Sequence, residues 1–439
     1  MAFIQNPKDI IMTVSIEIPA EVPAGIPADL HPGDATEKVP KRRTRRRAPA
    51  DHASAPPDRP TKPSRRSQTT AERSDQGEHP LRAVSGLVDV RDKAAYIRTS
   101  GYLPGEDDLR LPLSEIHRLR LRPGDLIEAT ARRPYDRLAE LVSVNGRAPE
   151  QDRPRFADLT PVHPRERLLL ETASPITRII DLVSPVGKGQ RGLIVAPPKA
   201  GKTIVLKAIA DAVTANHPDA HLMAVLVGER PEEVTDFRES VRGEVIASTF
   251  DRPEREHTAL AELAVERAKR LAEQGADVVL LLDSLTRLGR AYNVIAPNGG
   301  KTLTGGIDAQ SVHLPKRLFG AARALREGGS LTIFATALAE TGSRMDDNFY
   351  EEFKGTGNME LRLSRALAEH RLYPAVDVAG SGTRREEVLL AGDEREVVWK
   401  LRRVLVGLER EQALTVLLDR VRETPSNAAF LLQVAATAA

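Results

Sequence analysis

The chain has 439 residues, of which 41% are hydrophobic and 29% are charged, and its formal net charge is +2. Such a length predicts about two to three domains, and the composition is ordinary for a soluble protein. The absence of cysteine excludes disulfides and thiolate metal sites and fits a reducing cytosol. No apolar run reaches the roughly 18 residues of a membrane helix, and the N-terminus lacks a signal-peptide pattern. We therefore expect a cytoplasmic protein with no membrane partner.

Residues 1–82 are rich in proline, alanine, arginine, aspartate and serine and contain almost no aromatic residue. Such a segment cannot bury enough apolar surface to offset the entropy of ordering, so we predict a disordered tail. Within it lies a basic block that contains the runs KRRTRRR and SRR. This block can attract a polyanion such as nucleic acid, or it can simply keep the tail solvated.

Residues 83–148 contain five short apolar runs that are separated by turn residues. The runs are SGLVDV, AAYIRTS, LRLPLSEI, GDLIEATA and LAELVSV. In the turn LRPGD, Pro123 restricts φ and Gly124 supplies a left-handed position. Five short strands in so few residues predict a small barrel of the OB type. Residues 149–172 follow as a predicted extended linker, because each proline disfavours helix in the residue before it.

From residue 173 to residue 439 the pattern changes to strand, loop and helix in alternation. The continuous apolar runs RGLIVA, LMAVLVG, DVVLLLD and LTIFATAL predict buried strands. KTIVLKAIADAVTA and TALAELAVERAKRLAEQ have the period of helices. Buried strands that alternate with helices predict an α/β fold, in which helices cover both faces of a parallel sheet.

The stretch APPKAGKT lies between the strand RGLIVA and a helix, which is the context of a phosphate-binding loop. The usual pattern has glycine where this chain has Ala196, but backbone amides do the binding, so alanine is acceptable there. Gly201 allows close approach, Lys202 would reach the β and γ phosphates, and Thr203 would ligate Mg²⁺. The predicted ATP-binding loop consists of Ala196, Pro197, Pro198, Lys199, Ala200, Gly201, Lys202 and Thr203.

Two further acidic positions follow apolar strands. Asp283 ends ADVVLLLDS, and a carboxylate at the carboxyl edge of a parallel strand suits a second ligand on the Mg²⁺ side. Glu229 follows VLVG and could polarise the attacking water as a general base. Glu232 and Glu233 lie close by in the sequence and compete with Glu229 for this role.

Several longer blocks resemble the bacterial transcription termination factor family called Rho. They are GERPEEVTDF, GEVIASTFDRP, LLLDSLTRLGRAYN, KTLTGGIDAQSVHLPKRLFGAAR, EEFKGTGNMEL and SGTRREE. The likeness runs from about residue 84 to about residue 387, and APPKAGKT is the family's own form of the loop. It implies a RecA-type core in a homohexamer, where ATP and Mg²⁺ drive a helicase or translocase along single-stranded RNA. It also implies RNA polymerase as a partner and the termination of transcription as the outcome.

The resemblance assigns roles around the loop. Lys202, Thr203 and Asp283 match the family's loop lysine, loop threonine and Mg²⁺-side aspartate. The other matching positions are Glu229 as the catalytic glutamate, Arg230 as a sensor of the γ-phosphate, Arg287 as a link to the subunit interface and Tyr373 as the aromatic that stacks on adenine. Arg384, in SGTRREE, matches an arginine that one subunit donates to its neighbour. Such an arginine stabilises charge on the transferred phosphoryl group.

Two segments match family loops that line the central RNA channel. APNGGKTLTGGID is rich in glycine and carries one basic residue, so its backbone could follow a strand through a ring. The second segment is ETGSRMDD. The matching positions are Lys301, Thr302, Thr304, Gly305, Thr341, Gly342 and Arg344. The family often has lysine at position 344, and arginine keeps the charge but alters the hydrogen-bond geometry.

The predicted barrel resembles the cold-shock-like RNA-binding domain of the family, with one departure. That domain usually carries a GFGF element whose aromatic rings stack on bases, whereas this chain has DKAAYIR. Tyr96 stands at one aromatic position and Ala94 at the other. Stacking contributes about 1–3 kcal/mol per base, so the loss of one ring predicts weaker capture of pyrimidines. Tyr96 could equally be a core residue; the other predicted contacts are Arg98, Asp108, Arg110 and Arg118.

Two alternatives remain open at this point. One is a subunit of a rotary or protein-export ATPase, which also joins a small barrel to a similar core; the blocks GKTLTGGID and EEFKGTGNMEL argue against it. The other is a non-catalytic RNA-binding ring, which the presence of Lys202, Glu229, Asp283 and Arg384 opposes. A dependence of ATPase activity on poly-pyrimidine RNA would separate both from the leading hypothesis.

Overall fold

The computed structural model describes residues 81–132, 138–297, 302–303 and 306–437. The predicted tail lies outside the described residues except for its last two positions. Of the predicted channel contacts, Lys301, Thr304 and Gly305 lie outside them as well, and Thr302 is described only as part of a strand. Within the described ranges, no helix combines the length and the apolar character that crossing a bilayer requires.

The first described segment forms a five-stranded antiparallel sheet. Its elements are β1 (Arg82–Val90), β2 (Ala95–Arg98), β3 (Leu109–Leu111), α1 (Leu113–Arg118), β4 (Leu126–Ala131) and β5 (Leu138–Val144). The strand order is β3-β2-β1-β4-β5. Val88, Ile97 and Ile127 are completely buried in the core between the strands. Five strands with a helix between the third and the fourth give the partly open OB-type barrel that was predicted.

The third predicted strand, LRLPLSEI, was wrong in its second half. Strand pairing ends at Leu111, because Pro112 has no N–H to donate to a neighbouring strand. Pro112 precedes α1 instead, and its carbonyl accepts hydrogen bonds from the amides of Glu115 and Ile116. Proline therefore converts a continuous apolar run into a strand followed by a helical turn.

The rest of the chain builds a second sheet and its helices. The strands are β6 (Pro161–Val162), β7 (Arg191–Ala196), β8 (His221–Glu229), β9 (Glu244–Thr249), β10 (Asp277–Asp283), β11 (Thr302–Leu303), β12 (Ile307–Asp308), β13 (Arg323–Leu325), β14 (Ser330–Leu338), β15 (Met359–Arg362) and β16 (Gly382–Thr383). The helices are α2 (Pro175–Val183), α3 (Lys202–Asn216), α4 (Pro231–Ser240), α5 (Glu254–Ala272), α6 (Leu285–Ile295), α7 (Ala309–Phe319), α8 (Arg344–Lys354), α9 (Arg365–Glu369), α10 (Gly392–Val406), α11 (Arg410–Arg422) and α12 (Asn427–Thr437), with a 3₁₀ turn at Glu386–Val388.

The order along the main sheet is β16-β15-β7-β14-β10-β8-β9, and every neighbouring pair from β15 to β9 is parallel. Side chains along β8 alternate between two separate cores. Leu222, Ala224 and Leu226 pack with α3, whereas the intervening Met223 and Val225 pack with α5 and α6. Both faces of the sheet are therefore covered by helices, which confirms the predicted α/β class.

The predicted linker of residues 149–172 is extended and packs against the rest of the chain. Phe156 is buried in the core on the α5 side, and the Arg323 guanidinium lies 4.9 Å from the centre of its ring. β6 pairs with β13, and Leu168 is completely buried in the other core. The prolines set the extended conformation, while the apolar residues between them attach the segment to the sheet.

The turn between α1 and β4 places the barrel directly on α5. Gly124 has φ +79°, and a Cβ atom built there would lie 2.4 Å from the carbonyl carbon of Glu266 and 2.5 Å from the amide nitrogen of Arg267. At the same contact, Arg267 Nη1 donates a hydrogen bond of 2.7 Å to Asn145 Oδ1. Position 124 therefore needs glycine both for its backbone conformation and because a side chain would strike the helix.

Candidate nucleotide site

The loop APPKAGKT joins the carboxyl end of β7 to the first turn of α3. Ala196 is the last residue of β7, and Lys202 and Thr203 are the first two residues of α3. Gly201 precedes the helix in the left-handed conformation, with φ +89°. The amides of the first helical turn and the positive end of the helix dipole therefore face the space beyond the sheet, where an anion would be bound.

Tyr373 lies beside this loop, although 170 residues separate it from Thr203 in the sequence. A Cβ atom built on Gly201 would lie 3.3 Å from Tyr373 Cε1. The ring is half-buried, and Pro374 follows it. The structure thus places an aromatic ring against the phosphate loop; its stacking on adenine stays a prediction.

Lys202 is held between the two predicted acidic residues. Its Nζ atom lies 2.6 Å from Asp283 Oδ1 and 2.9 Å from Glu229 Oε1. Both carboxylates are buried, at the carboxyl ends of β10 and β8. Burial lowers the pKa of the Lys202 ammonium, but the attraction of Asp283 and Glu229 outweighs burial and raises that pKa above its usual value. Lys202 is therefore charged at neutral pH.

Thr336 is a site residue that the sequence analysis missed. Its hydroxyl donates a hydrogen bond of 2.8 Å to Asp283 Oδ1. Thr336 follows Ala335 in β14, and Ala335 pairs with Leu282 in β10, so the two side chains lie on adjacent strands. A threonine inside LTIFATAL gives no signal of its own, because its role depends on which strand lies beside β10.

Because Asp283 is the predicted ligand on the Mg²⁺ side, we expect Thr336→Val to reduce ATP hydrolysis about 10–100-fold, the usual effect of changing a residue that orients a metal ligand. Valine keeps the shape but leaves the buried Asp283 oxygen without the hydroxyl donor. Thr332→Val is a matched control: Thr332 is buried in the same strand and accepts a hydrogen bond from the Gly189 amide, outside the site. Steady-state hydrolysis measured side by side checks this expectation, and equal losses in both variants would contradict it.

Glu229 is the best placed of the three glutamates that competed for the general-base role. It is 3% exposed and contacts Lys202, whereas Glu232 is exposed and Glu233 is half-buried, both in the first turn of α4. The helix dipole favours acidic residues in a first turn, so the positions of Glu232 and Glu233 are explained without a catalytic role. Arg230, the predicted sensor, is exposed immediately before α4.

Arg287 connects β8 with the first turn of α6. Its Nη1 atom donates a hydrogen bond of 2.6 Å to the Gly228 carbonyl, and its Nε atom lies 3.4 Å from Glu229 Oε1. The hydroxyl of Ser284 caps α6 by accepting a hydrogen bond from the Arg287 amide. The cap fixes the helix end, and the helix end directs the guanidinium toward Glu229.

Arg384 lies far from the phosphate loop of its own chain. Its amide donates to the Asn358 carbonyl, and the Asn358 amide donates to the carbonyl of Arg191, the first residue of β7. The loop begins at the other end of β7, about 17 Å away at about 3.3 Å per residue. The Arg384 side chain is exposed. The structure therefore does not bring Arg384 together with Lys202, Glu229 and Asp283.

Among the predicted RNA contacts of the barrel, two are engaged in buried ion pairs. Arg98 is 7% exposed and donates hydrogen bonds to Asp89 at 2.6 Å and to Asp108 at 2.7 Å. Asp108 also accepts from the amides of Thr99 and Gly105. In the described structure these charges hold barrel loops together, so neither group is free to meet a phosphate; direct RNA contact stays a prediction for both.

Tyr96 lies on the outer face of the barrel and not in its core. Its neighbours in the strand, Ala95 and Ile97, are completely buried, so the alternation of β2 places Tyr96 on the other face. The Arg98 guanidinium lies 4.7 Å from the centre of its ring. Arg110 is its exposed cross-strand partner, and Arg118 is exposed while its guanidinium binds Glu115.

The second predicted channel segment forms a capped turn before α8. The Thr341 hydroxyl donates a hydrogen bond of 2.7 Å to Asp346, which also binds Arg290. Gly342 has φ +76° and is exposed, and Arg344 is the exposed first residue of α8. Gly342 and Arg344 are therefore accessible, whereas the Thr341 hydroxyl is occupied within the turn.

Comparisons with known proteins match both parts of the chain. Residues 84–150 match the family model of the Rho termination factor, RNA-binding domain, and residues 177–383 match that of the ATP synthase alpha/beta family, nucleotide-binding domain. A protein of Streptosporangium roseum named transcription termination factor Rho is 70% identical over 81% of this chain and 93% of its own length. A protein of the same name from Streptomyces lividans is 58% identical over 81% of this chain and 52% of its own length.

A solved structure of an ATPase from the type III secretion system of pathogenic bacteria is similar in fold. It covers 64% of this chain and 87% of its own, with a TM-score of 0.54 and 21% sequence identity. At that identity the likeness concerns the fold alone. The Streptomyces lividans relative and one from Micrococcus luteus are longer proteins, of which this chain spans about half.

Proposed function

The chain belongs to the family of Rho transcription termination factors, and from that premise we propose that it is an RNA-dependent ATPase that moves along RNA and terminates transcription. Its nucleotide-binding domain makes it an ATPase, and its RNA-binding domain makes RNA a partner. The translocase or helicase activity, the homohexameric ring and the contact with RNA polymerase are the further parts of the proposal.

The observation that carries the proposal is the arrangement of Lys202, Glu229 and Asp283 at the end of the sheet. A lysine on a phosphate loop, within hydrogen-bond distance of two buried carboxylates, supplies three of the groups that phosphoryl transfer to water uses. Lys202 would bind the β and γ phosphates. Glu229 would accept a proton from the attacking water as it approaches the γ-phosphate. Arg230, exposed beside Glu229, would contact the γ-phosphate.

Thr203 and Asp283 fit a Mg²⁺ ion that arrives with ATP. Magnesium prefers oxygen ligands, and it is commonly held by one or two protein groups together with substrate phosphates and water. The described residues contain no cluster of three or more histidine and acidic side chains that could hold a metal on its own. We therefore propose that nucleotide and metal bind together, and the bound metal would neutralise charge on the phosphates.

The alternative of a rotary or protein-export ATPase is supported by the match of residues 177–383 to the ATP synthase alpha/beta family and by a shared fold at 21% identity. It is opposed by the match of residues 84–150 to the Rho RNA-binding domain and by 70% identity to a Rho factor. The alternative of a non-catalytic ring is opposed by the geometry, because Lys202, Glu229 and Asp283 come together in one site. Residues 1–80, with their basic block, are proposed to add attraction for RNA phosphates that weakens as salt increases.

We expect ATP hydrolysis by the full chain to be stimulated strongly by poly-pyrimidine single-stranded RNA and little by duplex DNA. The reason is that RNA passing through a ring would set the geometry of the sites between subunits. Phosphate release measured with and without each polymer, across a salt series, checks this. A rate that stays the same whichever polymer is added would overturn the proposed function.

A further inference from the structure

The barrel and the nucleotide site contact opposite ends of one helix, α5. The barrel packs on its second half, where Gly124 lies against the backbone of Glu266 and Arg267 and where Asn145 accepts a hydrogen bond from Arg267. Nearer the middle of the helix, Arg91 Nη1 of the barrel lies 3.7 Å from Glu262 Oε2. Just past the end of the helix, Arg122 Nη2 donates a hydrogen bond of 3.0 Å to Glu273 Oε2. The close glycine contact and these two hydrogen bonds attach the barrel to this half of α5.

In the first turn of α5, His257 lies beside Gly228, which precedes Glu229 and accepts a hydrogen bond from Arg287. The imidazole is 7% exposed, and its Nδ1 atom lies 2.7 Å from Ser248 Oγ in β9. A Cβ atom built on Gly228 would lie 3.9 Å from His257 Nε2 and 3.3 Å from Arg287 Cδ, so His257 and Arg287 flank the same peptide. Burial lowers the pKa of His257, which is therefore neutral beside the Arg287 guanidinium.

The two contact regions are close enough for a rigid helix to join them. His257 and Arg267 are ten residues apart in an uninterrupted helix, or about 15 Å at 1.5 Å per residue. The inner face of the helix is fixed in the core by side chains such as Leu260 and Ala264, both nearly completely buried. A small displacement of one end is therefore carried to the other and not absorbed by a loop.

We propose that α5 sets the position of the Glu229–Arg287 pair according to how the barrel is seated, with Arg267 as the positioning residue at the barrel end and His257 at the site end. The inference rests on the proposed function and adds to it how RNA held by the barrel is sensed by hydrolysis. Neither residue touches the nucleotide. Each acts through backbone that leads to Glu229, since the Phe250 amide at the end of β9 donates to the Glu229 carbonyl.

The test compares two glycines of the barrel. Gly124 and Gly146 have φ of +79° and +73°, so alanine causes similar backbone strain at both, but nothing lies within 4 Å of a Cβ at Gly146. We expect Gly124→Ala to lower the ratio of ATPase rates with and without saturating RNA about fivefold or more, the scale of ordinary coupling between sites. Gly146→Ala should keep the wild-type ratio, because it does not displace the barrel from α5.

Arg267→Ala provides a second route if Gly124→Ala does not fold, because it removes the hydrogen bond to Asn145 without placing a side chain against the helix backbone. Its effect should not add to that of His257→Gln, since both interrupt one connection: the double variant should show the ratio of the more affected single variant. Ratios that multiply in the double variant, or a wild-type ratio in Arg267→Ala and Gly124→Ala, would overturn the inference. A wild-type chain without RNA stimulation would instead overturn the proposed function.

Discussion

Glu229→Gln should reduce ATP hydrolysis by about 10²–10⁴-fold, because it removes the proposed general base while keeping the shape of the side chain. Glutamine still accepts a hydrogen bond from Lys202, so the loop remains held on that side. It has no carboxylate to take the proton from water. ATP binding should persist, and RNA binding by the barrel should be unaffected. Phosphate release and the binding of a labelled nucleotide, measured on the same preparation, check the two statements separately.

Glu232→Gln and Glu233→Gln are the matched controls, since they remove the same charge within four residues of Glu229. Both lie in the first turn of α4, where loss of a negative charge costs only about 0.3–1 kcal/mol of helix stability. Their turnover should stay close to that of the wild type. If Glu233→Gln loses activity and Glu229→Gln retains it, the base has been assigned to the wrong residue.

Much of this site was predictable because its residues lie at the carboxyl ends of strands that the apolar runs of the sequence identify. β7 and β10 have the bounds that their apolar runs predict, and each ends at a residue of the site, Ala196 or Asp283. In a parallel sheet the carboxyl ends of neighbouring strands meet at one edge, so residues that follow buried strands converge. Lys202, Glu229 and Asp283 could be grouped from sequence on that reasoning. In the structure the Lys202 Nζ atom lies within 2.9 Å of an oxygen of each carboxylate.

The residues that escaped prediction depend on contacts between distant segments. Thr336 lies beside Asp283 because β14 is adjacent to β10. His257 lies near Glu229 because the first turn of α5 packs beside Gly228. Arg98 was predicted as an RNA contact because it falls near a contact position of the family that the barrel resembles. The sequence analysis missed its buried ion pairs with Asp89 and Asp108, which lie on either side of it in the sequence. Sequence spacing alone does not distinguish the two roles.

The geometry of Arg384 leads to the second prediction of large effect. Since Arg384 lies at the opposite end of β7 from its own phosphate loop, any catalytic role requires a second copy of the chain. Arg384→Ala should therefore lower hydrolysis about 10³-fold or more, the scale on which an arginine supplied to a transferred phosphoryl group acts. Arg385→Ala is the neighbouring control, because Arg385 is also exposed and pairs with Glu387 of its own chain.

Mixing two inactive variants should then restore activity. Arg384→Ala subunits keep a complete loop, and Lys202→Ala subunits keep the donated arginine, so where the two meet in the right order one intact site forms. Random mixing in equal amounts makes up to about a quarter of the subunit boundaries complete, which sets the upper limit of the recovered rate. As a control, Arg384→Ala subunits are mixed with subunits that carry both substitutions, a combination that forms no complete boundary. Recovery only in the first mixture is the expected result, whereas equal rates in the two mixtures would mean that Arg384 does not act across a boundary.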